Sequence, residues 1–145
     1  MVRRKVRLLI LECTLESKER MSEGRLLREL TRILGFERRT RFTFISDKNS
    51  FLRELEDMEE PYLHISAHGD FDPTKGTWID IACEGKVYSK DLSDLWEGKA
   101  RSKIPNLVVL SACKTGHVDM VRAFSHSGCQ YCIAPLHETS WEDAA

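Results

Sequence analysis

Short apolar runs alternate with longer amphipathic stretches along this chain, and the two periods separate well. Val6-Arg7-Leu8-Leu9-Ile10-Leu11 has the length and composition of a buried strand. Leu26, Leu27, Leu30, Ile33 and Leu34 recur at helical spacing, with Gly35 as the stop. Arg41-Phe42-Thr43-Phe44-Ile45-Ser46 alternates like a second strand. Asp47 or Asn49 then caps a helix carrying Phe51, Leu52, Leu55 and Met58, which must end before Pro61. Tyr62-Leu63-His64-Ile65-Ser66 predicts a third strand that runs into a loop at Ala67-His68-Gly69-Asp70. Trp78-Ile79-Asp80-Ile81 and Lys86-Val87-Tyr88 flank Cys83-Glu84-Gly85 and predict a small β-hairpin. Ser89 or Asp91 opens a helix with Leu92, Leu95 and Trp96. Leu107-Val108-Val109-Leu110 is the most apolar run and predicts the central strand. A helix near Asp119–Ser127 stops at Gly128, and Tyr131-Cys132-Ile133-Ala134 predicts a last strand. Glu138–Ala145 reads as the first turn of one more helix. Strands alternating with helices in this order predict an α/β, three-layer domain. Its central, mostly parallel sheet has about five strands joined by right-handed crossovers, plus the hairpin.

Length and composition narrow this picture. The chain has 145 residues, the size of a single domain over 1–145. With 41% hydrophobic and 31% charged residues it is neither disordered nor fibrous. No apolar run approaches the roughly 20 residues of a membrane span. Leu8–Leu11 is also too short to be the core of a secretion signal. The expectation is a cytoplasmic protein without a membrane partner. Five cysteines in that setting are reduced thiols, each to be explained by packing, metal or catalysis. The net charge of −1 hides an asymmetry. Residues 1–41 hold 12 Lys and Arg against 6 Asp and Glu, and the remainder 10 against 17. A solvated basic face explains this more simply than nucleic acid, and no basic–aromatic interleaving suggests an RNA-binding sheet.

In doubly wound sheets, reactive groups sit beyond the carboxyl ends of the strands. Two such ends stand out: Ala67-His68-Gly69-Asp70 and Ser111-Ala112-Cys113-Lys114-Thr115-Gly116. If their strands are parallel neighbours, His68 and Cys113 emerge side by side. An imidazole can then take the thiol proton or stabilise the thiolate. The backbone N–H groups of Gly69 and Cys113 are candidates for an oxyanion hole. Taken as residue types only, Cys113 is as readily a small buried apolar residue and His68 a loop residue.

Leu63-His64-Ile65-Ser66-Ala67-His68-Gly69 and Leu107-Val108-Val109-Leu110-Ser111-Ala112-Cys113-Lys114-Thr115-Gly116 resemble the two signature blocks of CHAT domains (caspase HetF associated with TPRs). These are caspase-like, clan CD cysteine peptidases similar to separases. Val121–Gly128 resembles the family's helix and glycine after the nucleophile. The resemblance covers roughly residues 60–141 and implies a caspase-like fold, with His68 as base and Cys113 as nucleophile. It implies a cysteine endopeptidase acting on a protein or peptide substrate, with no metal or organic cofactor. The chain departs from the pattern in lacking the helix and further elements that usually follow Trp141. It also has Leu136-His137 where a Trp is common. Ser111 stands where metacaspases and paracaspases place an aspartate, so the P1-selecting group is open among Asp70, Asp72, Asp80 and Asp119. The alternative function is an inactive or incomplete CHAT-like module serving as a regulatory scaffold. A chain that stops at the start of a helix is expected to leave an apolar sheet face poorly covered, which predicts self-association or a regulatory protein partner.

Other constellations fare worse. His64 and His68 are four apart, which on a strand separates them by about 13 Å, too far to share a metal. Cys129-Gln130-Tyr131-Cys132 has C-x-x-C spacing near His126 and His137, but lacks a second ligand pair; packing is expected for Cys132 and a loop position for Cys129. Cys13 and Cys83 read as core or surface thiols. His117 is expected in an exposed loop, with the pocket mouth as the alternative. Lys114 either raises the potential at Cys113 or points to solvent. Glu12-Cys13-Thr14 follows the first strand where a phosphate-binding loop would need glycines.

Overall fold

The computed structural model describes residues 7–14, 22–82 and 84–137. Cys83 and the helix expected over Glu138–Ala145 lie outside the described residues. Along the chain run β1 (Leu8–Glu12), α1 (Glu23–Ile33), β2 (Thr40–Phe44), α2 (Lys48–Asp57), β3 (Tyr62–Ser66), β4 (His68–Asp72) and β5 (Gly76–Asp80). They are followed by β6 (Lys86–Tyr88), α3 (Ser89–Trp96), β7 (Leu107–Ser111), α4 (Val118–Ser125) and β8 (Tyr131–Ile133). Five strands form one parallel sheet in the order β2-β1-β3-β7-β8. A second sheet, β4-β5-β6, is antiparallel. This is the α/β, caspase-like architecture that the resemblance implies.

Local sequence explains most of these elements. Asp47 caps α2, its carboxylate accepting from the Ser50 N–H at 2.8 Å. Ser22 caps α1 by accepting from Arg25. Asp91 in the first turn of α3 accepts from the Tyr88 N–H at 2.8 Å. One face of the parallel sheet carries Leu9, Leu11, Leu63, Ile65, Val108 and Leu110 into the main core. Phe51 and Leu55 of α2, Leu92 and Trp96 of α3, and Met120 and Phe124 of α4 meet them there. Trp96 and Phe124 stack at a tilt with ring centroids 5.0 Å apart. The opposite face carries Ile10, Glu12, His64, Ser66, Val109 and Ser111, and α1 packs over its β1, β2 and β3 portion.

Two expectations change. The central strand is β3, with β7 one place toward the edge. Four of the five β3 residues are buried, whereas in β7 only Val108 and Leu110 are. Apolar composition could not tell a strand covered on both faces from one covered on a single face. The hairpin is a three-stranded sheet, because His68–Asp72 pairs with β5 instead of forming a loop. Glycine and two aspartates give that segment little strand propensity; its partner decides. The apolar stripe of α1 is real, yet Leu30 is 45% exposed and Ile33 72%.

Candidate active site

β3 and β7 are parallel neighbours in the register Tyr62↔Leu107 to Ser66↔Ser111. Pairing continues one residue further, where the Ala67 N–H donates to the Ser111 carbonyl at 3.1 Å. His68 is two residues beyond Ser66 and Cys113 two beyond Ser111, so both leave the same end of adjacent strands. His68 is exposed and Cys113 half-buried.

The two segments touch directly. A Cβ built on Gly69 would lie 2.7 Å from the Cys113 carbonyl oxygen and 3.1 Å from the Ala112 side chain. Only glycine lets the β4 backbone come this close. Lys114 donates to Asp70 Oδ1 at 2.8 Å, a second link between the segments. It therefore neither points freely to solvent nor lends Cys113 an uncompensated charge. Its φ of +57° is in the left-handed region, a conformation that costs a non-glycine residue about 1 kcal/mol or more. That turn carries the chain from Cys113 back toward β8: the Gly116 N–H donates to Pro135 at 2.7 Å and the Lys114 N–H to His137 at 3.2 Å. His117 stands at the N-cap of α4 and stacks on Phe71 of β4, ring centroids 4.4 Å apart. It joins β4 to α4, a role neither expectation for it contained.

Three of the four aspartates considered for P1 selection have other partners. Asp119 accepts from the Thr77 N–H and hydroxyl at 2.7 and 2.6 Å and from Ser89 at 2.8 Å. Burial raises its pKa, but the Thr77 and Ser89 hydrogen bonds outweigh it and hold the carboxyl below the usual range. Asp72 accepts from the Thr74 and Lys75 N–H groups and shapes the β4–β5 turn. Asp70 is held by Lys114 and lowered by that hydrogen bond. Asp80 pairs with His68 in the β4–β5 ladder, and no contact assigns it a role.

Sequence reasoning missed a polar cluster beneath the strand ends, on the α1 side. Glu12, the last residue of β1, is fully buried and surrounded by neutral donors. These are the Thr14 hydroxyl at 2.6 Å, the Thr14 and Gly24 N–H groups at 3.2 and 3.0 Å, and Ser66 at 3.3 Å. A Cβ on Gly24 would collide with Glu12 Oε2, so glycine lets the α1 N-terminus reach the carboxylate. Glu23 accepts from Ser111 Oγ, and its Oε1 lies 3.1 Å from His64 Nε2. The two atoms approach without hydrogen-bond alignment. Burial pushes the Glu23 pKa up, but His64 and Ser111 hold it below the usual carboxylate range. A charged residue closing an otherwise apolar run was the one sequence signal for this cluster.

Three of the other thiols lie in burying surroundings. Burial raises the pKa of Cys13 and Cys129, and pushes Cys132 up to about 11. Cys129 lies in a loop, as expected, yet is buried, its Sγ 3.1 Å from the Tyr131 carbonyl oxygen. Among the described residues no three His, Cys, Asp or Glu side chains converge to hold a metal. No helix among them is long and apolar enough to cross a membrane.

A five-stranded parallel sheet with a three-stranded antiparallel annex, and motif segments meeting at neighbouring strand ends, defines a caspase-like fold. The CHAT domain family model matches residues 14–145, and the chain belongs to that family. The match extends well upstream of residue 60, where the motif resemblance ended. No curated protein matches the chain.

Proposed function

We propose that this CHAT domain is a cysteine endopeptidase domain spanning the whole chain, with His68 and Cys113 as its dyad. The observation that carries the reading is the β3–β7 register, which brings His68 and Cys113 off the same end of adjacent strands, with Gly69 against the Cys113 carbonyl. The Cys113 thiolate attacks the scissile carbonyl, forming an S–C bond, and the oxyanion takes hydrogen bonds from the Gly69 and Cys113 N–H groups. His68 passes a proton to the leaving amine as the C–N bond breaks. Water, deprotonated by His68, then hydrolyses the thioester and restores the thiol. A dyad suffices, since a third group serves to orient the base. The substrate is a protein or peptide.

The test is alkylation with limiting iodoacetamide near pH 7, mapped by mass spectrometry. Burial alone makes Cys13, Cys129 and Cys132 slow, so Cys113 reacting ahead of them decides nothing. The informative comparison is wild type against His68→Ala. We expect the variant to slow Cys113 about tenfold, since an unassisted thiol is only a few per cent thiolate at this pH. Cys13 and Cys129 should not change. An unchanged Cys113 rate would leave the scaffold reading in place of the peptidase.

A further inference from the structure

We propose that Glu23, at the N-terminus of α1, is a positioning residue that clasps the ends of β3 and β7 and so sets His68 against Cys113. The inference rests on the dyad reading above. Glu23 reaches both strands through one carboxylate. One carboxylate oxygen accepts from Ser111 of β7, two residues before Cys113, and the other lies 3.1 Å from His64 of β3, four residues before His68. Its side chain is 19% exposed and that of His64 9%, so water competes poorly with both contacts.

The placement of Glu23 is itself fixed. The next N–H along, that of Gly24, donates to buried Glu12, and Glu12 in turn accepts from Ser66, two residues before His68. Thus β1, β3, β7 and the first turn of α1 are tied by side chains in the row Glu12–Ser66–Ser111. The last β3–β7 backbone hydrogen bond is that of Ala67, so beyond it the two reactive segments rest on the Gly69–Cys113 packing and the Lys114–Asp70 contact in place of ladder hydrogen bonds. A carboxylate bridging the last paired row is well placed to fix the angle at which they leave. A misplacement of about 1 Å at a reacting pair can cost on the order of a hundredfold in rate.

Glu23→Ala, Glu23→Gln and His68→Ala are compared in the full chain by two readouts. The first is the rate of Cys113 alkylation at pH 7. The second is the amide spectrum of labelled protein by NMR, which reports strand-end geometry whether or not the dyad is reactive. The clasp predicts that Glu23→Ala shifts the amides of both Ala67–Gly69 and Ala112–Lys114. It also predicts an alkylation loss approaching that of His68→Ala, about tenfold, and recovery of half or more of the rate in Glu23→Gln, which keeps an acceptor for Ser111. A purely structural role predicts a lower unfolding midpoint in both variants with no change in Cys113 rate. Amide shifts confined to residues 22–27 and to Ser111 would overturn the clasp, whatever the alkylation shows. If His68→Ala leaves Cys113 unchanged, the dyad reading fails by itself, and the amide shifts still decide whether Glu23 couples the two strand ends.

Discussion

The two faces of the parallel sheet obey different rules. The face toward α2, α3 and α4 is continuous and apolar: Leu9, Leu11, Leu63, Ile65, Val108 and Leu110 are buried against three helices. The face toward α1 is a patchwork. Under the first turn of α1 lies the Glu12–Ser66–Glu23–Ser111 network, while Tyr131 and Ile133 on β8 stand exposed. The first face is where hydrophobic burial holds the fold together. The second contributes little to that burial, and it carries the polar side chains that link the strand ends leading to His68 and Cys113. Most of the apolar core and the polar network thus lie on opposite sides of one sheet.

The sharpest way to break this contrast is to remove a large side chain from the apolar face. Phe124 is fully buried on α4 and packs on Trp96. Phe124→Ala should cost about 3–5 kcal/mol, the usual range for a buried phenylalanine left as a cavity. Urea unfolding followed by circular dichroism measures it. A cost near 1 kcal/mol would mean that α4 is loosely seated and that the three-helix face is not the main core.

The same contrast explains what the sequence made legible. On the apolar face, period and capping residues act locally, so α2 begins after Asp47 and α3 at Ser89, two starts the pattern allowed. The placement of the two motifs at the same end of neighbouring strands was also readable, because each motif follows directly on its strand. What escaped depends on partners distant in sequence. β4 is a strand only because β5 pairs with it, and β3 is buried on both faces because α1 covers the second one. Glu12, Glu23, Ser66 and Ser111 are far apart in the chain and carry no shared motif. Nothing in their spacing announces that they meet. The apolar stripe of α1 was legible as well, but how much of it is buried depends on a covering surface that a single helix cannot reveal.

Asp119 offers a smaller and pH-dependent effect, at the junction of the apolar face with the antiparallel annex. Its carboxylate holds Thr77 of β5 and Ser89 of α3 from the first turn of α4. Because the folded pKa lies below the unfolded value, its stabilisation is present above the unfolded pKa of about 3.9. It is lost as pH falls through the folded value. Asp119→Asn should therefore cost about 1–2 kcal/mol at pH 7. The gap to wild type should start to narrow below about pH 4, where protonation begins to favour the unfolded chain, and keep narrowing as pH falls toward the lower folded value. Paired urea titrations at pH 7 and pH 3 read the difference. A gap that is constant with pH would mean that Thr77 and Ser89 respond to shape at this position, with charge playing no part.

The smallest effect belongs to the patchwork face. Ile133 is 60% exposed on β8, opposite half-buried Val109. An isoleucine so placed gains little from burial in the folded chain, and its exposure in the unfolded state is not much greater. Ile133→Ser should then change stability by no more than about 0.5 kcal/mol. Val108, one strand over and facing the other way, is fully buried, and Val108→Ser should cost several times as much because it also buries a hydroxyl. The ratio of the two costs tests the contrast directly. A large cost at Ile133 that grows with protein concentration would mean that a second copy of the chain covers β8, since mass action stabilises a folded state that associates. A large cost independent of concentration would place the cover within the chain itself, and the two faces would then differ less in burial than the strand rows imply.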